Sequence, residues 1–148
     1  MRRATRGDLR AIERLLTGAG LTTDGVADVI DASPGDFFVA ETSHVPGEIV
    51  AVAGLEVRGS TAVLRSVAVD QAWRSRGVGR DLVRQIVCDA ESRGMHALYL
   101  LTLTAEHYFP RFGFERIERS SIPHEIAETV EFISACPATA VAMMRGLP

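Results

Sequence analysis

The sequence predicts a mixed α/β (α+β) fold, and three observations carry that prediction. Two long β-branched runs, Glu48–Arg58 and Thr61–Val69, flank the two-residue hairpin signal Gly59-Ser60. A third run, Ala97–Leu103, is apolar nearly throughout, as a strand buried on both faces would be. Between the second and third runs, Ser75 to Gly94 has helical spacing, so strand, helix and strand follow one another as a βαβ unit.

The other elements follow in chain order. Arg2–Thr5 is a short strand. Thr5 and Asp8 have capping-box spacing, with Asp in place of the preferred Glu or Gln. Leu9, Ile12, Leu15 and Leu16 then recur at helical spacing until Gly18 and Gly20 stop the helix. Thr23–Ala32 reads as a second helix, with Val26, Val29 and Ile30 on one face, ended by Ser33-Pro34-Gly35. Phe37–Glu41 is a strand and His44–Gly47 a turn, so three strands meander before the βαβ unit. The helix from Ser75 carries an apolar stripe of Val78, Leu82, Val83, Ile86 and Val87 and ends at Gly94. Ala105–Phe112 is a short helix ended by Gly113, Phe114–Ile122 a strand, Pro123–Ser134 a helix and Thr139–Met144 a last strand.

Length and composition bound the function. The 148 residues contain no repeat, low-complexity tract or linker, so a single domain over 1–148 is expected. Hydrophobic residues are 47% of the chain, enough for one sizeable core. The net charge of −3 argues against a general nucleic-acid or anionic-membrane binder but allows a local basic site. Cys88 and Cys136 are the only cysteines and no CxxC occurs, so neither a disulfide framework nor a metal or metalloid site is expected. Cys88 is expected in the core. No apolar run follows Met1-Arg2-Arg3, and none is long enough for a bilayer, which predicts a soluble, reduced, cytoplasmic protein.

The stretch "LRSVAVDQAWRSRGVGRDLVRQIV", Leu64 to Val87, carries the chemistry. A strand runs into Arg74-Ser75-Arg76-Gly77-Val78-Gly79 and then into a helix. The first turn of a helix has amide N–H groups without intrahelical partners, and the helix dipole adds partial positive charge. Gly77 and Gly79 let a ligand approach the backbone, and Arg74, Arg76 and Arg80 add charge. No Gly-Lys-Ser/Thr follows, so this is not a Walker loop, and there is no third glycine for GxGxxG. On spacing alone, a phosphate or pyrophosphate ligand and a plain basic helix start are equally good readings.

Arg74–Gly79 resembles the Arg/Gln-x-x-Gly-x-Gly/Ala motif of the GNAT superfamily, the acetyl-CoA-dependent N-acetyltransferases. "LRSVAVDQAWR" is similar to the superfamily's central strand and loop, and "AEHYFPRFGFERI" to its second cofactor segment. Within the superfamily, "LLTLTAEHYFPRFGF" and "EFISACPATAVAMM" look most like the small N-acetyltransferases associated with arsenic-resistance operons. They also resemble the acetyltransferase domain of amino-acid N-acetyltransferases.

The resemblance implies a single mixed, mostly antiparallel sheet of about six to seven strands flanked by helices, the acyl-CoA N-acyltransferase fold. It implies acetyl-CoA as cosubstrate, no metal, and a small-molecule amine acceptor; a protein acceptor, or an acyl-CoA-binding sensor without catalysis, is the alternative. Neither nucleic acid nor membrane is implied as a partner, and a homodimer is left open. Residue by residue, Arg74, Ser75, Arg76, Gly77, Val78, Gly79 and Arg80 would hold the coenzyme A pyrophosphate. The exposed backbone of Val67, Ala68 and Val69 would bond the pantetheine arm, and the Val67 N–H would polarise the thioester carbonyl. Thr102, Ala105, Phe109 and Arg111 of the second segment would line the cofactor.

Three departures from the family pattern matter. Thr102 stands where Asn is usual. Phe109, four residues before Gly113, stands where Tyr usually protonates the leaving thiolate; Tyr108 is adjacent, about 100° away around a helix, and is the candidate acid if the helix is rotated, with water as the alternative. Glu56 is the candidate base, set against a plain solvent-facing strand residue, and His107 is a weaker one. Arg65 interrupts an apolar strand, where a charge is costly unless it is paired or faces a cleft. It would either grip an acceptor's carboxylate or pair with Glu56, since hairpin register places the two diagonally on one face. Thr104, like Thr102, would bond cofactor or substrate or merely pack in the strand.

Overall fold

The computed structural model describes residues 1–43, 47–129 and 140–147. Among the described residues seven strands form one sheet in the order β1-β2-β3-β4-β5-β7-β6. They are β1 (Arg2–Arg3), β2 (Phe37–Glu41), β3 (Ile49–Arg58), β4 (Thr61–Val69), β5 (Ala97–Thr102), β6 (Glu115–Ile117) and β7 (Val141–Gly146). Every neighbouring pair is antiparallel except β4–β5, which α3 (Val78–Ser92) connects as a parallel crossover. The remaining helices are α1 (Leu9–Gly18), α2 (Val26–Ala32) and α4 (His124–Ala127).

Strand alternation assigns the two faces. Ala51, Ala53 and Leu55 of β3 pack with Leu82, Val83, Ile86 and Ala90 of α3. Val52, between them, faces Ile12 and Leu16 of α1 and Val26 and Ile30 of α2. Gly54 lies under the fully buried Phe37 ring of β2; a Cβ there would stand 2.5 Å from the ring's Cε1. The glycine is a packing requirement of this cross-strand pair. At the start of α1 the Thr5 N–H donates to Asp8 Oδ2 at 2.8 Å, and Arg2 Nη1 binds the same oxygen at 2.8 Å.

The structure shortens several expected elements. The second helix begins at Val26, after Gly25 at φ 75°. Residues 105–108 form a turn and Phe109–Phe112 a 3-10 helix in place of an α-helix. Pro110 supplies no N–H to a helical ladder, and Phe109 and Phe112 both reach the core. The strand expected at Phe114–Ile122 narrows to Glu115–Ile117, which among the described residues pairs with β7 alone. Of the helix expected from Pro123, α4 covers His124–Ala127, and residues 130–134 lie outside the described residues. Thr139, the expected start of the last strand, and Cys136 lie outside them too, as does part of the turn at 44–47; the described strand runs Val141–Gly146. Cys88 is exposed rather than buried. It falls one position past Val87, about 100° around α3 from the apolar stripe. No described helix is long and apolar enough to cross a membrane.

Candidate active site

The site is built on a fault in the hairpin. Arg58 faces Thr61 and Glu56 faces Val63, the register expected from Gly59-Ser60, and it holds as far as Gly54 opposite Arg65. Beyond that point Val52 faces Ala68, so β4 has gained one residue on β3. The gain is absorbed at Ser66, whose φ is 59°, in the left-handed region. On the other side β4 pairs with β5 only from Thr61 opposite Ala97 to Val63 opposite Tyr99. Past Val63 the two strands part while β5 stays paired with β7 as far as Thr102, leaving a cleft of about 1030 Å³.

Backbone alternation decides which polar groups face that cleft. The Asp70 N–H donates to the Val50 carbonyl at 2.7 Å, so Ala68 also directs its polar groups to β3, and Val67 and Val69 turn theirs to the cleft. Val67 and Val69 line the cleft; Ala68 does not, and its methyl packs in the α1–α2 core. The expectation that Ala68 would offer its backbone to a ligand is corrected on this ground.

The glycine-arginine turn closes one end. Ser75 and Gly77 both have positive φ, 65° and 80°, and Gly77 is the N-cap of α3. The first helical bond runs from the Asp81 N–H to the Gly77 carbonyl, so the N–H groups of Val78, Gly79 and Arg80 precede the intrahelical ladder. A Cβ at Gly79 would stand 3.2 Å from Val69 Cγ2 and 3.7 Å from Tyr108 Oη, so the helix start, β4 and Tyr108 meet there. Arg74 Nε donates to the Val69 carbonyl at 3.2 Å. Arg80 folds over Gly77 and pairs with Asp81 at 3.2 Å. Arg76 lies outside the cleft, its guanidinium 4.9 Å from the centre of the Trp73 ring, while Trp73 itself lines the cleft.

The end of β5 forms the facing wall. Thr102 Oγ1 accepts the Ala105 N–H at 2.9 Å, and Thr104 stands exposed in the cleft. Tyr108 and Phe109 both contribute to this wall, but differently. Phe109 is 7% exposed and packs edge-on against Phe114. Tyr108 is half-buried, its ring edge-on to Phe109 and Phe112 with centroids 5.3 Å away in both cases, and its hydroxyl lies beside Gly79. Arg111 Nε donates to the Tyr108 carbonyl at 2.9 Å, and its guanidinium lies 4.5 Å from that ring's centre. Burial pushes the Tyr108 hydroxyl above its ordinary value, against the opposing pull of Arg111 and Arg80, so the proton is firmly held at neutral pH.

Glu56 and Arg65 form a buried pair, Arg65 Nη1 to Glu56 Oε1 at 3.0 Å. Arg58 Nη2 binds the other oxygen, Oε2, at 2.8 Å. Glu56 is neither solvent-facing nor part of the cleft lining, which corrects both readings made of it: alternation puts it on the α1–α2 face, where two arginines occupy its oxygens. His107 is exposed and off the cleft, 4.0 Å from Glu106. Sequence reasoning passed over the loop Ala19–Thr22, which forms another wall. Its only signal was Leu21, an apolar residue placed after a helix stop and left 43% exposed. Among the described residues no group of three or more His, Cys, Asp or Glu side chains could hold a metal.

A β4 bulged against β3 and splayed from β5, with a glycine turn at the head of the crossover helix, defines the acyl-CoA N-acyltransferase fold. The chain belongs to the GNAT acetyltransferases: the acetyltransferase (GNAT) domain family matches residues 33–116. It is therefore an acetyl-CoA-dependent N-acetyltransferase. An uncharacterized N-acetyltransferase of Chlorobaculum tepidum is 30% identical over 129 residues, 85% of this chain and 81% of that protein. The amino-acid acetyltransferase of Mycobacterium tuberculosis is 32% identical over 130 residues, 85% of this chain and 74% of that protein. A Mycobacterium tuberculosis structure solved with CoA and a second ligand superposes with a TM-score of 0.81 at 25% identity, covering 99% of this chain and 98% of that one. N-acetylglutamate synthase from Neisseria gonorrhoeae, complexed with coenzyme A and N-acetyl-glutamate, also gives 0.81, at 20% identity; it covers 99% of this chain but 34% of that one, a likeness of fold.

Proposed function

We propose that the chain acetylates the amine of a small molecule, an amino acid or close analogue, by direct attack on the thioester of acetyl-CoA. The observation that carries the acceptor class is the charge of the cleft. Its described lining includes Arg74, Arg80 and Arg111 and no aspartate or glutamate; Arg65, which also borders it, is buried and already paired with Glu56, and Arg80 is paired with Asp81. A diamine or polycation would bring a second positive charge to a lining that offers it no carboxylate; a neutral or anionic amine meets no such cost. Leu21 and Leu103, at 43% and 58% exposure, add apolar contact from two different elements. The Mycobacterium tuberculosis amino-acid acetyltransferase supports the same class.

The geometry supports the following roles. The N–H groups opening α3, with Arg74 and Arg80, hold the pyrophosphate, and Arg76 adds charge from outside the cleft. Gly77 and Gly79 keep side chains out of its path. Val67 and Val69 bond the pantetheine arm as an added strand, with Ala105 and Phe109 as apolar walls. The Val67 N–H polarises the thioester carbonyl. The amine nitrogen forms its bond to the carbonyl carbon, the carbon–sulfur bond breaks, Tyr108 donates its proton to the departing sulfur, and the proton lost by the new amide nitrogen returns through water to the Tyr108 oxygen. Since no carboxylate lines the described cleft, the ammonium gives its proton to water before it attacks. Thr104 bonds the acceptor.

Thiol release from acetyl-CoA, measured with amino acids, their amides, dipeptides and aliphatic diamines, tests this reading. Turnover of amino acids but not diamines is expected. Preference for diamines overturns the acceptor class, and preference for dipeptides points to a protein N-terminus. CoA binding with no turnover of any amine identifies a sensor.

A further inference from the structure

The Arg65 side chain is 0% exposed. A guanidinium taken out of water is tolerated only when its donors are met. Its fork reaches three separate places. Nη1 donates to Glu56 Oε1 on β3 at 3.0 Å, Nε to Ser66 Oγ in the bulge at 3.1 Å, and Nη2 to the main-chain carbonyl of Asp24 at 2.7 Å. Asp24 belongs to the α1–α2 connection, whose residues Ala19–Thr22 line the cleft. Ser66 is held at φ 59°, a conformation a non-glycine residue keeps only when its surroundings impose it. The residue after it is Val67.

We propose that Arg65 is a positioning residue. It locks the bulge and the α1–α2 loop into one arrangement, so that the Val67 N–H and the acceptor wall hold fixed places on either side of the reacting bond. This rests on the reading of the β4–β5 cleft as the site of acetyl transfer. It replaces a direct grip on the acceptor's carboxylate, since the side chain is 0% exposed and an acceptor could reach it only if the bulge or the loop moved aside. Lysine keeps the charge, but a single ammonium does not reproduce a planar fork that spans a carboxylate, a hydroxyl and a carbonyl. Losing an oxyanion donor outright costs about 10²–10³ in kcat, so misplacing one predicts roughly a tenfold loss.

Arg65→Lys and Ser66→Gly test the proposal in steady-state kinetics, with CoA affinity by calorimetry and hydrogen exchange over residues 19–25. Ser66→Gly removes the hydroxyl while glycine accepts the positive φ, so it keeps the test alive if Arg65→Lys folds poorly. For Arg65→Lys we expect kcat to fall about tenfold by the same factor for a carboxylated acceptor and its amide, CoA affinity within about twofold of the parent, and faster exchange over 19–25. For Ser66→Gly a fall of severalfold in kcat at unchanged melting temperature is expected. Unchanged kcat in either variant overturns the proposal. A KM increase confined to the carboxylated acceptor makes Arg65 a substrate contact instead. A loss of kcat matched by an equal loss of CoA-binding sites makes it merely structural. The calorimetry and exchange need no turnover, so a parent that exchanges and binds CoA as expected but acetylates nothing defeats the acetyl-transfer reading and not the clamp.

Discussion

Replacing Tyr108 by phenylalanine removes one oxygen and leaves the packing intact. The ring's edge-on contacts with Phe109 and Phe112 and its stacking under Arg111 survive the change. Stability is therefore expected to stay within about 0.5 kcal/mol of the parent, the range of a surface substitution. Loss of a positioned general acid costs about 10²–10⁴ in rate. A thiolate is a modest base, with a pKa near 8.5, so departure without help is not prohibitive and the low end applies. The prediction is a fall in kcat of about a hundredfold, roughly 2.7 kcal/mol, with CoA affinity unchanged. The parent should lose activity on the alkaline side only above the usual tyrosine value of about 10, because burial raises Tyr108. That limb should be absent in Tyr108→Phe. Phe109→Tyr, added to Tyr108→Phe, should not restore the rate, since position 109 points into the aromatic cluster with Phe112 and Phe114. Thiol-release kinetics across pH, with circular dichroism as the folding control, make the measurement. Full turnover in Tyr108→Phe, or rescue by Phe109→Tyr, refutes the assignment.

Two further outcomes follow from the same geometry. Gly54→Ala places a methyl 2.5 Å from the buried Phe37 ring, so overpacking should cost about 1–3 kcal/mol, read as a fall in melting temperature of about 3–10 °C; a change within about 1 °C would mean that the β2–β3 face relaxes freely. With no carboxylate in the described cleft lining to take the amine's proton, the acidic limb of kcat/KM should move with the acceptor's own pKa. Two acceptors of different amine basicity that share one acidic limb would point to an enzyme base.

The parts of this site that local chemistry determines were legible in the sequence. Gly59-Ser60 sets a hairpin register that pairs Arg58 with Thr61 and brings Arg65 diagonal to Glu56, and the side chains do meet. Gly77 and Gly79 announce a strand-to-helix turn; Gly77 has a φ of 80°, and a Cβ at Gly79 would make a tight 3.2 Å contact with Val69. The bulge was not legible from the residues, because Ser66 is no glycine and one extra residue in a β-branched run leaves the alternation readable in either register. That slip alone decides that Val67 faces the cleft and Ala68 does not. Tyr108 and Phe109 were separable only once the segment was known to be a turn and a 3-10 helix, a consequence of Pro110 that aromatic spacing at helical intervals conceals. Hairpin register gives the pairing of Glu56 with Arg65, but not the packing above that face of the hairpin, which leaves Glu56 2% exposed.

Calorimetric titration of CoA into the parent and Gly79→Asp tests the central claim most directly. A Cβ at Gly79 would stand 3.2 Å from Val69 and 3.7 Å from the Tyr108 hydroxyl, so a larger side chain must project toward the cleft. Aspartate would bring negative charge to the N–H groups assigned to the pyrophosphate. Saturable one-to-one binding to the parent is expected, with a loss of affinity of about a hundredfold or more in Gly79→Asp and an unchanged circular dichroism spectrum. Equal affinity in a folded Gly79→Asp would place the cofactor elsewhere and contradict the account.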